Sequence, residues 1–286
     1  MARPATLGLV ALALGCGGGA PQPTEEKPTP DPVEEVAEPV ADVVAPLPQV
    51  DPGAGEAAPE YPEVKWEKRG PCGASATNLP TLLQGPGIRR LEEYTNYGIG
   101  QSSLLATSYL PPSGPFQGTD PVEEDPDPDM SARDAWGCKY APGKAFDRDA
   151  TTAWCEGVAG SGEGQVLVAP IPNARLARIG AGYQKSEALR TANGRPRRVR
   201  VTLMEAREAT PAGVQSGEGW TYRDVKILGA HEVELEDRGG WQPLPLPEAP
   251  GYQERAGLVA VEILSVYPGG KYEDTCISEI EGLVAQ

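Results

Sequence analysis

The feature that most restricts how this chain can fold is a proline-rich acidic stretch near its N-terminus. Residues 16–65 contain eleven prolines and eleven acidic residues, but only two basic ones, Lys27 and Lys65. Such a segment cannot bury enough apolar surface to offset its ordering entropy, and prolines with like charges extend the backbone. We therefore expect residues 16–65 to be a disordered tether and the folded core to lie downstream.

A second acidic stretch, residues 120–129, alternates Asp with Pro. Its Asp spacing is superficially like a calcium-binding loop, but such loops need tight turns, and proline forces the residue before it into an extended conformation. We expect no calcium there. The stretch ends an irregular segment, 66–130, and whether that segment packs on the downstream domain, 131–286, stays open. From Met130 onward 18 basic residues nearly balance 21 acidic ones, so the acidity lies mainly in the linkers.

The first residues predict export from the cytoplasm. Arg3 precedes a short apolar run, residues 7–14, and Gly15 comes just before Cys16. These are the parts of a secretory signal, and the run is too short to span a bilayer. A Cys after Leu-Gly is similar to the bacterial lipoprotein cleavage signal, which implies that residues 1–15 are removed and that Cys16 carries acyl chains. An ordinary secretory signal with an incidental Cys16 is the alternative.

The same signal predicts where the mature chain resides. Either kind of signal delivers it to an oxidising compartment, in which disulfides form. Gly17 rather than Asp follows Cys16, and by analogy with enteric bacteria this favours the outer membrane over the inner one. We expect a cell-envelope protein held by a lipid on Cys16, with its periplasmic or surface position left open.

Charge and histidine content exclude several function classes. A net charge of -16 argues against nucleic-acid binding, which depends on Lys and Arg neutralising phosphates. His231 is the one histidine, so any site that needs two is excluded, and with no Ser or Cys motif near it we expect a surface histidine. Glu156 with Glu279 or Asp274 is a formal glycosidase pair. Because the sequence indicates no cleft, we predict a non-catalytic protein.

The downstream region has the pattern of an all-β sandwich. Seven short alternating or apolar runs lie between turn signals, at 165–169, 175–183, 197–205, 221–228, 231–236, 257–266 and 276–284. Along the third run, Val199, Val201 and Leu203 point to one face. The intervening side chains, including Arg200 and Thr202, point to the other face, which we predict to be solvated.

Residues 144–157 read Lys-Ala-Phe-Asp-Arg-Asp-Ala-Thr-Thr-Ala-Trp-Cys-Glu-Gly. This run resembles the A-F-D-G-D-x-x-T-A-W-x-E-G signature of discoidin-like (coagulation-factor type C) domains, and most of all their NAD glycohydrolase translocation, or NADase-type glycan-binding, subgroup. Pieces at 160–164, 182–186, 193–195 and 274–280 continue the pattern in order. Arg148 stands where Gly is usual, and Gln165-Val166 replaces Glu-Trp. The resemblance implies a galactose-binding-like jelly-roll sandwich.

Four cysteines remain besides Cys16, and four allow three pairings. No Cys-x-x-Cys spacing occurs and the compartment is oxidising, which argues against zinc. In the jelly roll that the resemblance implies, the loop at Cys155 lies near the last strand at Cys276. It therefore implies the pair Cys155–Cys276 and leaves Cys72–Cys138 to staple the upstream segment. A local Cys138–Cys155 bridge is the alternative.

The resemblance also implies a metal site. Asp147, Asp149 and Thr152 fall in a tight turn, and Glu279 can approach from the last strand. Hard oxygen ligands suit calcium, and related carbohydrate-binding sandwiches hold a structural calcium in a similar loop. The alternative is that the two aspartates cap the turn through their own backbone. A structural calcium is the one cofactor expected.

A glycan site needs an aromatic platform for apolar sugar faces and polar groups for the hydroxyls. The candidates for the platform are Trp154, Tyr183, and Trp220 or Trp241. The candidates for the polar contacts are Glu156, Gln184, Lys185, Asn193 and Arg195. Core packing is the alternative for Trp154, loop anchoring for Glu156, and a simple turn for Asn193. The five arginines between 190 and 200 are interpreted as a solvated strand face, and binding of an acidic glycan or lipid headgroup is the alternative.

Together these observations predict a membrane-tethered, non-catalytic lipoprotein whose discoidin-like domain binds a glycan or another envelope or extracellular ligand. The resemblance is to a targeting module, so it does not imply NAD glycohydrolase activity. A structural or assembly lipoprotein that binds protein partners without a sugar site is the alternative. No nucleic-acid partner is expected.

Overall fold

A computed structural model describes residues 61–65, 68–70, 72–90, 94–97, 105–117, 132–211, 219–252 and 257–284. All of them belong to one compact unit, Ala57–Gln286. The predicted signal peptide, Cys16, the tether before residue 61 and the acidic stretch 120–129 lie outside the described residues. The expectations for those parts stay predictions.

The described residues are mostly β-structure. The strands are β1 Lys68–Gly70, β2 Gly73–Ser75, β3 Gly87–Arg89, β4 Tyr94–Tyr97, β5 Leu105–Ala106, β6 Trp154–Cys155, β7 Val166–Pro170, β8 Leu176–Ala181, β9 Arg195–Pro211, β10 Gly219–Glu234, β11 Trp241–Leu244, β12 Gly257–Tyr267 and β13 Cys276–Leu283. The helices are α1 Leu79–Leu82, α2 Ala132–Gly137 and α3 Glu187–Ala192, with a 3₁₀ turn at Pro142–Ala145. None of these helices is long and apolar enough to cross a membrane.

The strands form two sheets. In the described part of the chain, the larger sheet has nine strands in the order β1-β2-β5-β7-β12-β9-β10-β3, with β4 also paired to β10. The smaller sheet has four, in the order β11-β8-β13-β6. Neighbours run antiparallel except β2 and β5, which run parallel. The expected all-β jelly-roll sandwich is confirmed.

The main core lies between the two sheets. Val199, Val201 and Leu203 of β9 are at most 1% exposed and pack in one cluster with Ile179 of β8 and Ile280 of β13. Residues of a strand alternate between its faces, so the predicted inner face of β9 is the observed one. Packing of the two inner faces against each other therefore gives the sandwich its interior.

The outer face of β9 is solvated only in part. The Arg200 side chain is 36% exposed, but Thr202 is 3% exposed and Met204 is fully buried. The prediction that Thr202 is solvated was wrong, because a segment more than a hundred residues upstream covers that end of the strand. Periodicity within a strand cannot show what a distant segment covers.

That cover is a second apolar cluster, formed by described residues between Val64 and Leu105 against the outer face of the larger sheet. Leu79 and Leu82 of α1, with Leu105 of β5, pack against Val166 and Met204. α1 follows Asn78 and has Pro80 in its first turn, where a missing N–H costs nothing. The upstream residues therefore contribute both strands and a buried layer to the domain.

Two predicted runs, 221–228 and 231–236, form one strand. β10 pairs with β9 from Trp220 to Glu234, with a register shift between Ile227 and Gly229. Such a bulge inserts a residue without ending the pairing, so the glycine does not end the strand. β6 and β11 were not predicted, because two and four residues are too short to show alternation.

Both expected disulfides are present. Cys72 bonds to Cys138, with 4.8 Å between their Cα atoms, and Cys155 bonds to Cys276, with 4.1 Å. Cys155 and Cys276 are register partners between β6 and β13, so that bridge lies within the smaller sheet. The Cys72–Cys138 bridge joins the upstream segment to the residue that follows α2. The local Cys138–Cys155 alternative is excluded.

The upstream layer generates a stability prediction. Leu79 is fully buried, so Leu79→Ala leaves a cavity under α1 and should lower the free energy of unfolding by about 2–5 kcal/mol. Gln84→Ala, in the exposed turn after the same helix, should change it by less than about 0.5 kcal/mol. Urea denaturation of both variants measures the difference. An unchanged midpoint for Leu79→Ala would show that the layer is not packed.

Candidate functional site

Four loops meet at one end of the sandwich, and together we call them the loop face. They are residues 157–164, 182–194, 235–240 and 268–275. The Thr275 hydroxyl donates to the Ser161 carbonyl at 2.8 Å, and the Gly194 N–H donates to the Asp274 carbonyl at 2.8 Å. The last loop is thus bonded to two others, and a rigid set of loops is a common setting for binding residues.

A cavity of about 470 Å³ opens on the loop face, between the first and the last loop. It is lined by Gly160, Ser161, Pro268, Gly269, Gly270, Lys271, Tyr272 and Glu273. Tyr272 is 41% exposed, and the Lys271 Nζ lies 4.9 Å from the centre of its ring. Val158, 38% exposed, precedes the lining residues of the first loop. The cavity therefore presents an exposed ring, with charges of both signs beside it.

Backbone hydrogen bonds to another loop hold the chain around Tyr272 in place. The N–H groups of Lys271 and Tyr272 both donate to the Ala192 carbonyl, at 3.0 and 2.8 Å. A Cβ atom at Gly269 would overlap the Tyr272 carbonyl oxygen, so only glycine fits at that position. The ring is thus presented on a fixed turn.

Charged hydrogen bonds join three of the loops. Asp237 accepts two bonds from Arg195, at 3.1 and 2.8 Å, and one from Arg190, at 2.6 Å. Arg195 also donates to the Pro268 carbonyl at 2.9 Å, and Arg190 forms two 2.8 Å bonds with Glu187. The bonds from Arg195, with those from Arg190, lower the pKa of Asp237 below its ordinary value, against an opposing effect of burial. Both guanidinium groups are buried and fully paired.

A cluster of oxygen atoms surrounds Thr152 in the turn before β6. Its hydroxyl lies 2.9–3.0 Å from both carboxylate oxygens of Asp147 and from the carbonyls of Lys144 and Asp149. A hydroxyl has one hydrogen to donate, so it cannot satisfy four acceptors. Lys144 Nζ is 3.3 Å from Asp147. Arg148 has φ of 62°, which explains why glycine is usual there.

Glu279 of β13 lies next to this cluster. It is 3% exposed, and its Oε2 has no hydrogen-bond partner among the described residues. Burial, followed by the charges of Asp147 and Glu281, raises the pKa of Glu279 to about 8, while backbone N–H groups in the turn oppose the rise. No three His, Cys, Asp or Glu side chains in the described chain are grouped to hold a metal. This cluster instead combines carboxylate, hydroxyl and carbonyl oxygens.

Comparison with known protein families identifies the domain. The model of the NAD glycohydrolase translocation F5/8 type C domain family matches residues 129–282, more than half of the chain. The chain belongs to this family. F5/8 type C domains often bind carbohydrates and also bind proteins, and this domain is of the translocation or binding type rather than catalytic.

Solved structures similar to this F5/8 type C protein belong to much larger proteins. The arabinofuranosyltransferase AftD from mycobacteria is 18% identical, with a TM-score of 0.33, over 68% of this chain and 11% of that one. The GH29 fucosidase from Ruminococcus gnavus in complex with fucose is 15% identical, with a TM-score of 0.24, over 53% and 23%. No curated protein matches the chain.

In the F5/8 type C domain, Tyr183, Gln184 and Lys185 lie where β8 leads into the loop face. Tyr183 is 8% exposed, and its ring stands edge-on to Tyr140 with centroids 6.3 Å apart. Burial and then Tyr140 raise the pKa of Tyr183. Gln184 accepts from the Gly240 N–H at 3.0 Å and donates to a backbone carbonyl. Of these three, only Lys185 is exposed.

Asn193 lies in the loop face and Arg195 is the first residue of β9 beside it, but the polar groups of both are engaged within the protein. The Asn193 amide donates to the Leu189 carbonyl at 2.7 Å, at the end of α3. Arg195 is 7% exposed and bonds to Asp237 and to two carbonyls. Gln184, Asn193 and Arg195 thus act as supports for loops rather than as a free surface, while Lys185 is exposed.

Trp154 and Glu156 do not reach the surface. Both are 0% exposed, and the Trp154 N–H donates to the Ser108 carbonyl at 2.9 Å. The Glu156 carboxylate accepts the N–H groups of Thr275 and Val158, at 3.0 and 2.9 Å. Burial raises the pKa of Glu156, and these bonds oppose the rise. Glu156 therefore anchors two loops, and it offers no atom to a ligand in solution.

The remaining candidates lie elsewhere. Trp241 on β11 is covered by the Arg178 guanidinium, 4.1 Å from its ring centre. Arg200 pairs with Glu262 at 2.6 Å, and Arg198 approaches Glu232 at 3.5 Å. His231 contacts the Pro245 carbonyl at 2.9 Å. Trp220 lies in β10, at the end of the pairing with β9.

Sequence reasoning missed the Tyr272 cavity. Its signal was a Pro-Gly-Gly turn at 268–270 followed at once by Lys and Tyr, between two apolar runs. An aromatic residue in a glycine-rich turn between strands has no inner face to pack on, so it is a candidate for exposure.

Proposed function

We propose that this chain is a non-catalytic glycan-binding protein, and that the sugar binds in the cavity beside Tyr272. The observation that carries this proposal is the exposed Tyr272 ring on a cavity of about 470 Å³, in a domain family that often binds carbohydrates. A cavity of this size is within the range of small-ligand sites.

The chemistry of the lining suits a sugar. An aromatic ring packs on the apolar C–H face of a pyranose, and hydroxyls need donors and acceptors at its edge. Lys271 supplies donors, Glu273 supplies acceptors, and Ser161 supplies both. Since backbone bonds already fix the turn that carries Tyr272, binding should need little further ordering.

We further propose that the oxygen cluster around Thr152 holds a structural calcium ion. Asp147, Glu279 and Thr152 through their side chains, with the Lys144 and Asp149 carbonyls, would be its ligands. Two observations support this assignment: four acceptors crowd one hydroxyl, and the buried Oε2 of Glu279 is unpartnered beside a second carboxylate. A calcium ion would neutralise the two carboxylates and fix the turn before β6.

We also propose that the domain is displayed from the cell envelope by a lipid on Cys16. The signal-like residues 1–15, with Cys16 after Leu-Gly, and the acidic prolines of 16–65 support the proposal. A single acyl chain gives only marginal membrane binding, so stable anchoring requires more than one. The tether would then act as a spacer between the membrane and the loop face.

The glycan proposal predicts a specific loss of binding. On a glycan array, Tyr272→Ala should lower sugar binding by the purified chain about tenfold or more, because stacking on a ring carries much of a sugar's affinity. Leu176→Ala, a truncation at an apolar side chain 58% exposed on β8, is the matched control and should bind normally.

Other outcomes on the same array would change the position of the sugar site or favour the alternative function. Loss of binding with Lys185→Ala but not with Tyr272→Ala would move the site to the Tyr183 side of the loop face. No sugar bound, with a protein partner retained after mild crosslinking, would favour the alternative of an assembly lipoprotein.

The calcium proposal predicts a metal-dependent stability. Calcium should raise the melting temperature of the purified chain, since a ligand that binds only the folded state stabilises it. Asp147→Asn and Glu279→Gln should each abolish most of that rise. Asp149→Asn is the matched control, because its carboxylate caps Thr151 and only its carbonyl faces the cluster. A melting temperature that does not change with calcium would disprove the site.

The anchor proposal predicts the mass and location of the mature chain. Intact mass spectrometry of the membrane fraction should show a chain beginning at Cys16 with acyl additions. Cys16→Ser should release the protein to the soluble envelope fraction. A mature chain cut at another residue, with an unmodified Cys16, would contradict the lipid anchor and support the alternative of an ordinary secretory signal.

A further inference from the structure

The loop face contains one acidic side chain that bonds to two buried cations. Asp237 contacts Arg190 and Arg195, whose side chains are each 8% exposed, and is itself 38% exposed. Removing charges from water is costly unless each is paired, and here the paired charges connect three of the loops. The hydrogen bonds of Arg190 and Arg195 connect Asp237 to the turn that carries Tyr272.

The first path runs through Arg195 to the Tyr272 turn. Asp237 holds the Nε and Nη2 atoms of Arg195 as a fork. Because a guanidinium is planar, this fork also fixes the direction of Nη1, which donates to the Pro268 carbonyl at 2.9 Å. Pro268 begins the loop that lines the cavity.

The second path runs through Arg190 to the same turn. Asp237 and Glu187 both bond Arg190, which is part of α3. The end of α3 supplies the Ala192 carbonyl that accepts the N–H groups of Lys271 and Tyr272. Asp237 therefore supports the Tyr272 turn along two separate paths, although it is not among the residues that line the cavity.

We infer that Asp237 is a positioning residue for the Tyr272 cavity, acting through Arg195 on Pro268 and through Arg190 on α3. The effect on sugar binding rests on the proposed function. The effect of Asp237 on the turn does not depend on the proposed function, so an experiment can contradict either effect without contradicting the other.

Hydrogen exchange tests the positioning directly, because it needs no ligand. In the full chain, Asp237→Asn should speed amide exchange in a peptide covering 269–273 by about tenfold, while a peptide of β9 covering 199–204 keeps its protection. Asp237→Glu, which keeps the charge, should recover part of that protection. Glu234→Gln is the matched control, since the Glu234 side chain is 63% exposed and forms a surface ion pair with Arg197. It should leave both peptides unchanged.

Sugar binding gives the second measurement. Asp237→Asn should raise the Kd for the best sugar found on the array about tenfold, with Asp237→Glu in between and Glu234→Gln at the wild-type value. Unchanged exchange at 269–273 in Asp237→Asn would overturn the inference. So would faster exchange in β9 as well, because that would show a general loss of stability. Faster exchange at 269–273 with unchanged binding would contradict the Tyr272 cavity as the sugar site, and keep Asp237 as a support of the turn.

Discussion

The larger sheet has apolar side chains on both of its faces, and different parts of the chain cover them. The smaller sheet covers the inner face, where Val201 is fully buried, while described residues between Val64 and Leu105 cover part of the outer face, where Thr202 is 3% exposed. Where this cover ends, the outer face becomes charged, and Arg200 pairs with Glu262 across neighbouring strands. On β9, Val201, Thr202 and Arg200 thus differ in burial because different parts of the chain, or none of the described ones, lie over them.

The loop face is held together by a different kind of interaction. An apolar cluster at this end includes Tyr183, but the loops are joined to one another by hydrogen bonds, several of them charged. Glu156, Asp237 and Gln184 each bond to loops distant in sequence. Several polar residues at this end, among them Asn193 and Arg195, are therefore bonded within the protein rather than free for a ligand. The exposed ring of Tyr272 is then notable, because the same network presents it to solvent rather than covering it.

The sequence allowed much of this fold to be predicted, and the reasons differ from residue to residue. Alternation marked Val199, Val201 and Leu203 as inward-facing, since a half-buried strand has a period of two. Both disulfides followed from the family resemblance rather than from spacing. The burial of Thr202 could not be predicted, because it depends on α1, which is far away in the chain. Nor could the pairing of Arg195 with Asp237, because the carboxylate partner of this cation lies more than forty residues further along the chain.

The disulfide between Cys72 and Cys138 closes a covalent ring around the acidic stretch 120–129. A protease that cuts that stretch once would therefore release no fragment, since the disulfide would keep the two pieces covalently linked. The fragments would remain at a high effective concentration, so the upstream layer would rebind the sheet after any transient release. Under oxidising conditions, a nicked molecule would migrate as an uncut one until a reductant opened the ring.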